Sequence, residues 1–116
     1  MKLDRFKKGF RCMEKDLLKI IEHFGVNNQQ RKLQEEVFEL NEAITTHELK
    51  KSVECEIPLT EIVGTKEHIT EELADIEVIL LQIKEFYRID GNQILKIMKN
   101  KINRTLERIE SGYYEK

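Results

Sequence analysis

The sequence predicts an all-α protein, an antiparallel four-helix bundle, on three observations. The 116-residue chain is 40% apolar and 36% charged, with five glycines and one proline, too few turn formers for a sandwich or barrel. Its apolar residues recur at alternating three- and four-residue steps in four segments. The breaks between those segments are mostly short, and short connections favour antiparallel neighbours.

The first helix is expected over about 3–24, with Leu3, Phe6, Phe10, Met13, Leu17, Ile20 and Phe24 as its apolar stripe. Gly25 follows as a natural C′ glycine, and Asn27 or Asn28 can cap the next helix. That second helix is expected over about 29–50, its stripe formed by Leu33, Val37, Leu40 and Ile44. The pattern then lapses in "KKSVECEIPLTEIVGTKEH", where Val53, Cys55 and Ile57 alternate before Pro58 like a short extended piece.

The third helix is expected from Thr65 or Lys66 to Tyr87, on a stripe of Ile69, Leu73, Ile76, Leu80 and Ile83. Additional apolar residues at Val78, Ile79 and Leu81 make it the most buried of the set. Asp90 followed three residues later by Gln93 resembles a capping box and opens a fourth helix over about 91–111. Its inward residues are Ile94, Met98, Ile102, Thr105 or Leu106, and Ile109.

The length suits one domain, residues 1–116, with an insertion loop at about 51–65, able to bury ~65% of its unfolded surface. A net charge of −2 and a pI near 6.0 leave no basic excess for phosphate backbones, so nucleic acid is not expected as a partner. No apolar run approaches the ~20 residues of a membrane span, and "MKLDRFKKGF" lacks an apolar stretch after its charges. The expectation is a soluble, cytoplasmic protein without membrane association. Cys12 and Cys55 are isolated, without a CxxC or a neighbouring histidine, and read as reduced structural thiols.

Chemistry enters through a repeat. "KLQEEVFELNEAI" (32–44) laid over "HITEELADIEVIL" (68–80) aligns Glu35 with Glu71, Glu36 with Glu72 and Glu39 with Asp75, at a constant offset of thirty-six positions. Carboxylates at i and i+3 are neighbours on a helix, so Glu36 with Glu39 and Glu72 with Asp75 flank the two apolar stripes alike. If the helices pack together, four acidic groups converge at the edge of the core. Like charges ~4 Å apart repel by about 4 kcal/mol at an effective dielectric of ~20, a cost that a cation removes. Oxygen-only donors suit Mg²⁺, with Mn²⁺ as a substitute, ahead of zinc. The plainer alternative is that glutamate forms helix well on a solvated face.

On the fourth helix, Lys101, Arg104 and Arg108 fall at i, i+3 and i+7 beside the stripe, an arrangement suited to polyphosphate or to an ion-paired surface. Neither Gly64 nor Gly91 belongs to a P-loop or a GxGxxG. His23, His47 and His68 form no Glu-x-x-His pair, which counts against a ferritin-like di-iron site, although His68 is close enough to the acidic segment to touch a ligand.

Over about 32–108, the paired Glu-x-x-Glu and Glu-x-x-Asp resemble the MazG-like all-α nucleoside triphosphate pyrophosphatase superfamily. "KNKINRTLER" resembles that superfamily's phosphate-holding final helix, and "LERIESGYYEK" the end of its phosphoribosyl-ATP pyrophosphatase branch. The separation between Glu39 and Glu72 exceeds the usual one, which marks "SVECEIPLTEIVGT" as an insertion. The resemblance implies Mg²⁺-dependent hydrolysis of a nucleoside triphosphate between its α- and β-phosphates. It implies Glu36, Glu39, Glu72 and Asp75 as metal ligands, and Lys101, Arg104 and Arg108 as the phosphate clamp. Glu35 and Glu36 are the candidates for handling the water, with Glu71 a weaker one. It also implies a homodimer or homotetramer. Phosphoribosyl-ATP as substrate, or a non-catalytic helical interaction module, are the alternatives.

Overall fold

The computed structural model describes residues 2–115, with side chains from residue 13 onward. Four helices account for most of them: α1 (Lys2–Phe24), α2 (Val26–Ser52), α3 (Leu59–Phe86) and α4 (Gly91–Glu110). No strand occurs among the described residues, so the chain is all-α as expected. Two compact units divide it after Phe86: α1, α2 and α3 form the first, and α4 with its flanking residues forms the second.

In the first unit, α2 and α3 run antiparallel and pack along their lengths, and α1 packs mainly on α3. The direction is fixed by cross-helix pairs whose numbers rise on one helix as they fall on the other. Gln29 meets Gln82, His47 meets Thr65, and Lys50 approaches Glu61 at 4.0 Å.

The inward line of α2 comprises Gln29, Leu33, Glu36, Leu40, Ala43, His47 and Lys50, spaced four and three residues in strict alternation. Its counterpart on α3 comprises Ile62, Thr65, Ile69, Glu72, Ile76, Ile79 and Ile83. This is the heptad spacing of a left-handed helix pair.

The stripes expected from apolar residues alone were partly misassigned. Leu33, Leu40, Ile69, Ile76 and Ile83 do turn inward, but Val37, Ile44, Leu73 and Leu80 are exposed. Similarly on α1, Ile21 is fully buried whereas Met13, Ile20 and Phe24 are exposed. The side chains of Leu3, Phe6, Phe10 and Cys12 lie outside those described. The reason is that polar side chains complete the buried lines, so a pattern drawn only through apolar positions is rotated away from the true face.

The connections also differ from expectation. Gly25, at φ 86°, alone separates α1 from α2, its N–H donating to the Ile21 carbonyl at 2.8 Å. With α2 beginning at Val26, neither Asn27 nor Asn28 caps it. The Asn28 side chain instead donates to the Phe24 carbonyl at 2.7 Å, satisfying an end of α1.

The expected loop at 51–65 shrinks to turns over 53–57, and α3 starts at Leu59 rather than at Thr65 or Lys66. Pro58 stands just before the first turn, where its fixed φ suits helix entry, and its carbonyl accepts from the Glu61 N–H. Cys55 is exposed in these turns and is therefore no packing residue.

In the second unit, the Asp90 carboxylate caps α4 by accepting from the Asn92 N–H at 3.0 Å. Met98, Ile102, Leu106 and Ile109 on α4 are exposed, and Ile94 is half-buried.

Candidate functional site

The heptad lines of α2 and α3 carry Glu36 and Glu72 into the seam itself. Glu72 is 8% exposed, and ligand-capable oxygens of Glu36, Glu39 and Glu72 all lie within 4.8 Å of one another. Asp75 is close enough for its charge to act on Glu36 as well. Three of the four expected metal ligands, Glu36, Glu39 and Glu72, thus converge, whereas Asp75 stands outside that group and acts on it through its charge. Glu35 and Glu71 are exposed, and Glu71 takes no part in the cluster.

Two carboxylates facing each other are acceptors only, so neither can satisfy the other without a proton. Glu36 Oε2 and Glu72 Oε2 are both buried without a hydrogen-bond partner. The cost appears in Glu36, whose pKa rises from 4.5 to about 7. Burial is the largest cause, followed by a hydrogen bond with Glu72 and the charges of Glu39, Asp75 and Glu72. At neutral pH the cluster is short of positive charge, and Glu36 is poised to hold a proton in its place.

His68, one turn before Glu72, places Nε2 3.2 Å from Glu72 Oε1. When protonated, the imidazole pairs with that oxygen of Glu72 and leaves the orphaned Oε2 for the cluster. Orienting a ligating carboxylate through its second oxygen is how outer partners prepare metal sites.

Two openings follow one another along the α2–α3 seam on either side of this cluster. One, of about 340 Å³, is lined by Glu39, Glu42, Ala43, Thr46, Thr65, His68 and Glu72. The other, of about 480 Å³, has Ile20 and Phe24 of α1 as one wall. Its remaining lining includes Asn28, Gln29, Arg31, Lys32, Glu35, Asp75, Val78, Ile79 and Gln82.

Arg31 and Lys32 are cations beside the carboxylates that the sequence reading passed over. Their signal was the spacing in "RKLQEE", which sets Arg31 one turn before Glu35 and Lys32 one turn before Glu36. Neither forms an ion pair within 4 Å among the described residues.

Lys101, Arg104 and Arg108 lie on α4, in the second unit. Lys101 and Arg104 are exposed, whereas Arg108 is half-buried with its guanidinium carbon 4.8 Å from the centre of the Tyr113 ring. Arg108 is thereby held by a cation–π contact within its own unit.

The donor set fits a hard divalent cation: it offers several carboxylate oxygens, two of them buried and unpaired, with no thiolate or imidazole among the converging atoms. Among the described residues, no helix is long and apolar enough to cross a membrane. No family model, curated protein or solved structure matches this chain.

Proposed function

We propose that the protein is a nucleotide pyrophosphohydrolase of the MazG-like kind. It would use Mg²⁺, or Mn²⁺ in its place, to cleave a nucleoside or deoxynucleoside triphosphate into a monophosphate and pyrophosphate. The observation that carries the reading is the pair of buried, unpartnered oxygens, Glu36 Oε2 and Glu72 Oε2, within a cluster of converging carboxylates. A seam made only for stability would not retain two facing acceptors, because burying an unpaired polar group costs about 1–3 kcal/mol.

Glu36, Glu39, Glu72 and Asp75 are the proposed holders of the metal. When bound, such an ion neutralises phosphate oxygens and lowers the pKa of water. Glu36 is the proposed acceptor of the proton as the water oxygen bonds to phosphorus and the bridging P–O bond breaks. Glu35, which lines the same opening as Asp75, is the proposed residue for orienting that water. Lys101 and Arg104 are proposed to steady the leaving pyrophosphate, with Arg108 contributing through its orientation by Tyr113.

We further read the protein as a cytoplasmic homodimer or homotetramer arranged as four-helix bundles, which sedimentation at micromolar concentration checks directly. The function is tested by pyrophosphate release from a panel of canonical, deoxy and modified triphosphates together with phosphoribosyl-ATP, with Mg²⁺ or Mn²⁺. Release from a nucleoside triphosphate supports the proposal, and exclusive release from phosphoribosyl-ATP would move it to the histidine-biosynthetic reaction. Inactivity across the panel would refute it.

A further inference from the structure

The larger opening contains a second buried polar pair that the carboxylate chemistry does not use. Gln29 is 5% exposed and Gln82 2% exposed, and among the described residues the side-chain hydrogen bond they make is the one from Gln29 Nε2 to Gln82 Oε1 at 2.8 Å. An amide has two faces for bonding. The Gln29 carbonyl oxygen and the Gln82 NH₂ group have no partner among the described residues, an acceptor beside a donor, on residues that both line the opening.

We propose that this opening is a nucleobase site in which the Gln29–Gln82 pair reads the hydrogen-bonding edge of the base. The chemistry of the opening changes along its length. Phe24, Ile20 and Val78 supply apolar surface for the faces of a flat heterocycle. The two amides supply a fixed donor and acceptor side by side, the complement of a base edge that carries a donor next to an acceptor. Towards the carboxylates come Arg31 and Lys32, unpaired cations that suit the first phosphate.

A volume of about 480 Å³ lies within the range of sites that enclose small ligands. A bare polyphosphate or a sugar phosphate would leave the apolar wall uncovered and the amide pair unanswered. The inference rests on the nucleotide reading above for its phosphate end, whereas base recognition is measured without turnover.

The test is equilibrium binding of nucleoside monophosphates, with ribose 5-phosphate as the baseless control, to the full chain in Mg²⁺ buffer, followed by calorimetry or amide NMR. At least one monophosphate is expected to bind about tenfold or more tightly than ribose 5-phosphate, the worth of one well-made hydrogen bond or more. Gln82→Met is expected to erase that preference while leaving the affinity for ribose 5-phosphate unchanged. The double variant Gln29→Met/Gln82→Met, which leaves no amide stranded, serves if the single variant does not fold. The inference is overturned if the wild type binds every monophosphate no better than ribose 5-phosphate, or if a folded Met variant keeps the preference. A preference that persists without pyrophosphate release from any triphosphate would sink the hydrolase reading and leave the base site standing.

Discussion

Two polar pairs interrupt the same buried seam, and they are resolved in opposite ways. Gln29 and Gln82 are each donor and acceptor, so a single 2.8 Å bond lets them close the seam. Glu36 and Glu72, nearer its middle, are acceptors only when both are ionised, and two of their oxygens are buried without a partner. Both pairs occupy positions where apolar side chains would serve packing better. The amide pair answers one half of each side chain from within the fold and keeps the other half neutral and open, while the carboxylate pair is a deficit of charge that must be answered from outside. That difference separates a neutral edge suited to hydrogen bonding from an acidic one suited to a cation.

The largest expected effect comes from turning the second pair into the first. Glu72→Gln removes a proposed metal ligand while preserving shape. Metal charge stabilisation of several kcal/mol implies a loss of turnover of about a thousandfold. Glu39→Gln and Asp75→Asn should behave alike, with helical circular dichroism intact. A variant retaining near-wild-type pyrophosphate release at low Mg²⁺ would remove that residue from the ligand set.

Next in size is the answer the deficit calls for. Mg²⁺ at a hundred times its Kd should stabilise the wild type by ~2.7 kcal/mol in thermal unfolding, and the Glu72→Gln variant by much less. The absence of a shift at millimolar Mg²⁺ would favour a non-catalytic interaction role.

The amide pair gives a smaller, reciprocal effect. Gln82→Met strands Gln29 and should cost about 1–3 kcal/mol in denaturant unfolding, whereas adding Gln29→Met should recover much of it. If the two changes were additive, the pair would not be the closed unit described here.

A separate effect concerns the metal-free protein. Because the Glu36 pKa is raised when folded, the native state holds a proton that the unfolded chain releases, and stability falls as pH rises between 4.5 and about 7. Glu36→Gln should flatten that slope and raise the melting temperature at neutral pH. An apo melting temperature that climbs over this interval in the wild type would contradict the environment assigned to Glu36.

The four helices, the glycine break at Gly25 and the Asp90 cap were legible in the sequence because each depends on local chemistry: periodic apolar residues, a positive φ, a side-chain oxygen. The acidic convergence was legible as well, since a repeat placed Glu36 and Glu72 at equivalent points of two helices that do pair. The buried face was not. Gln29, Glu36, His47, Thr65 and Glu72 belong to the inward lines, and no polar residue announces itself as core until its partner on the other helix is known. The start of α3 at Leu59 was hidden because the alternation of Val53, Cys55 and Ile57 is equally compatible with turns. Arg31 and Lys32 were hidden because they are adjacent in sequence and form no helical row of the kind that Lys101, Arg104 and Arg108 form on α4.

The single-residue joint at Gly25 bears on how the larger opening keeps its shape. Phe24 and Ile20, which wall it, sit within about one turn of the only residue that separates α1 from α2. Taking α1 as a lever with its fulcrum at Gly25, a tilt of about 10° would carry its far end by about 6 Å but Ile20 by only about 1 Å, from the rise of 1.5 Å per residue. The wall is thus at the quiet end of the lever, so the opening keeps its shape through tilts that displace the far end of α1.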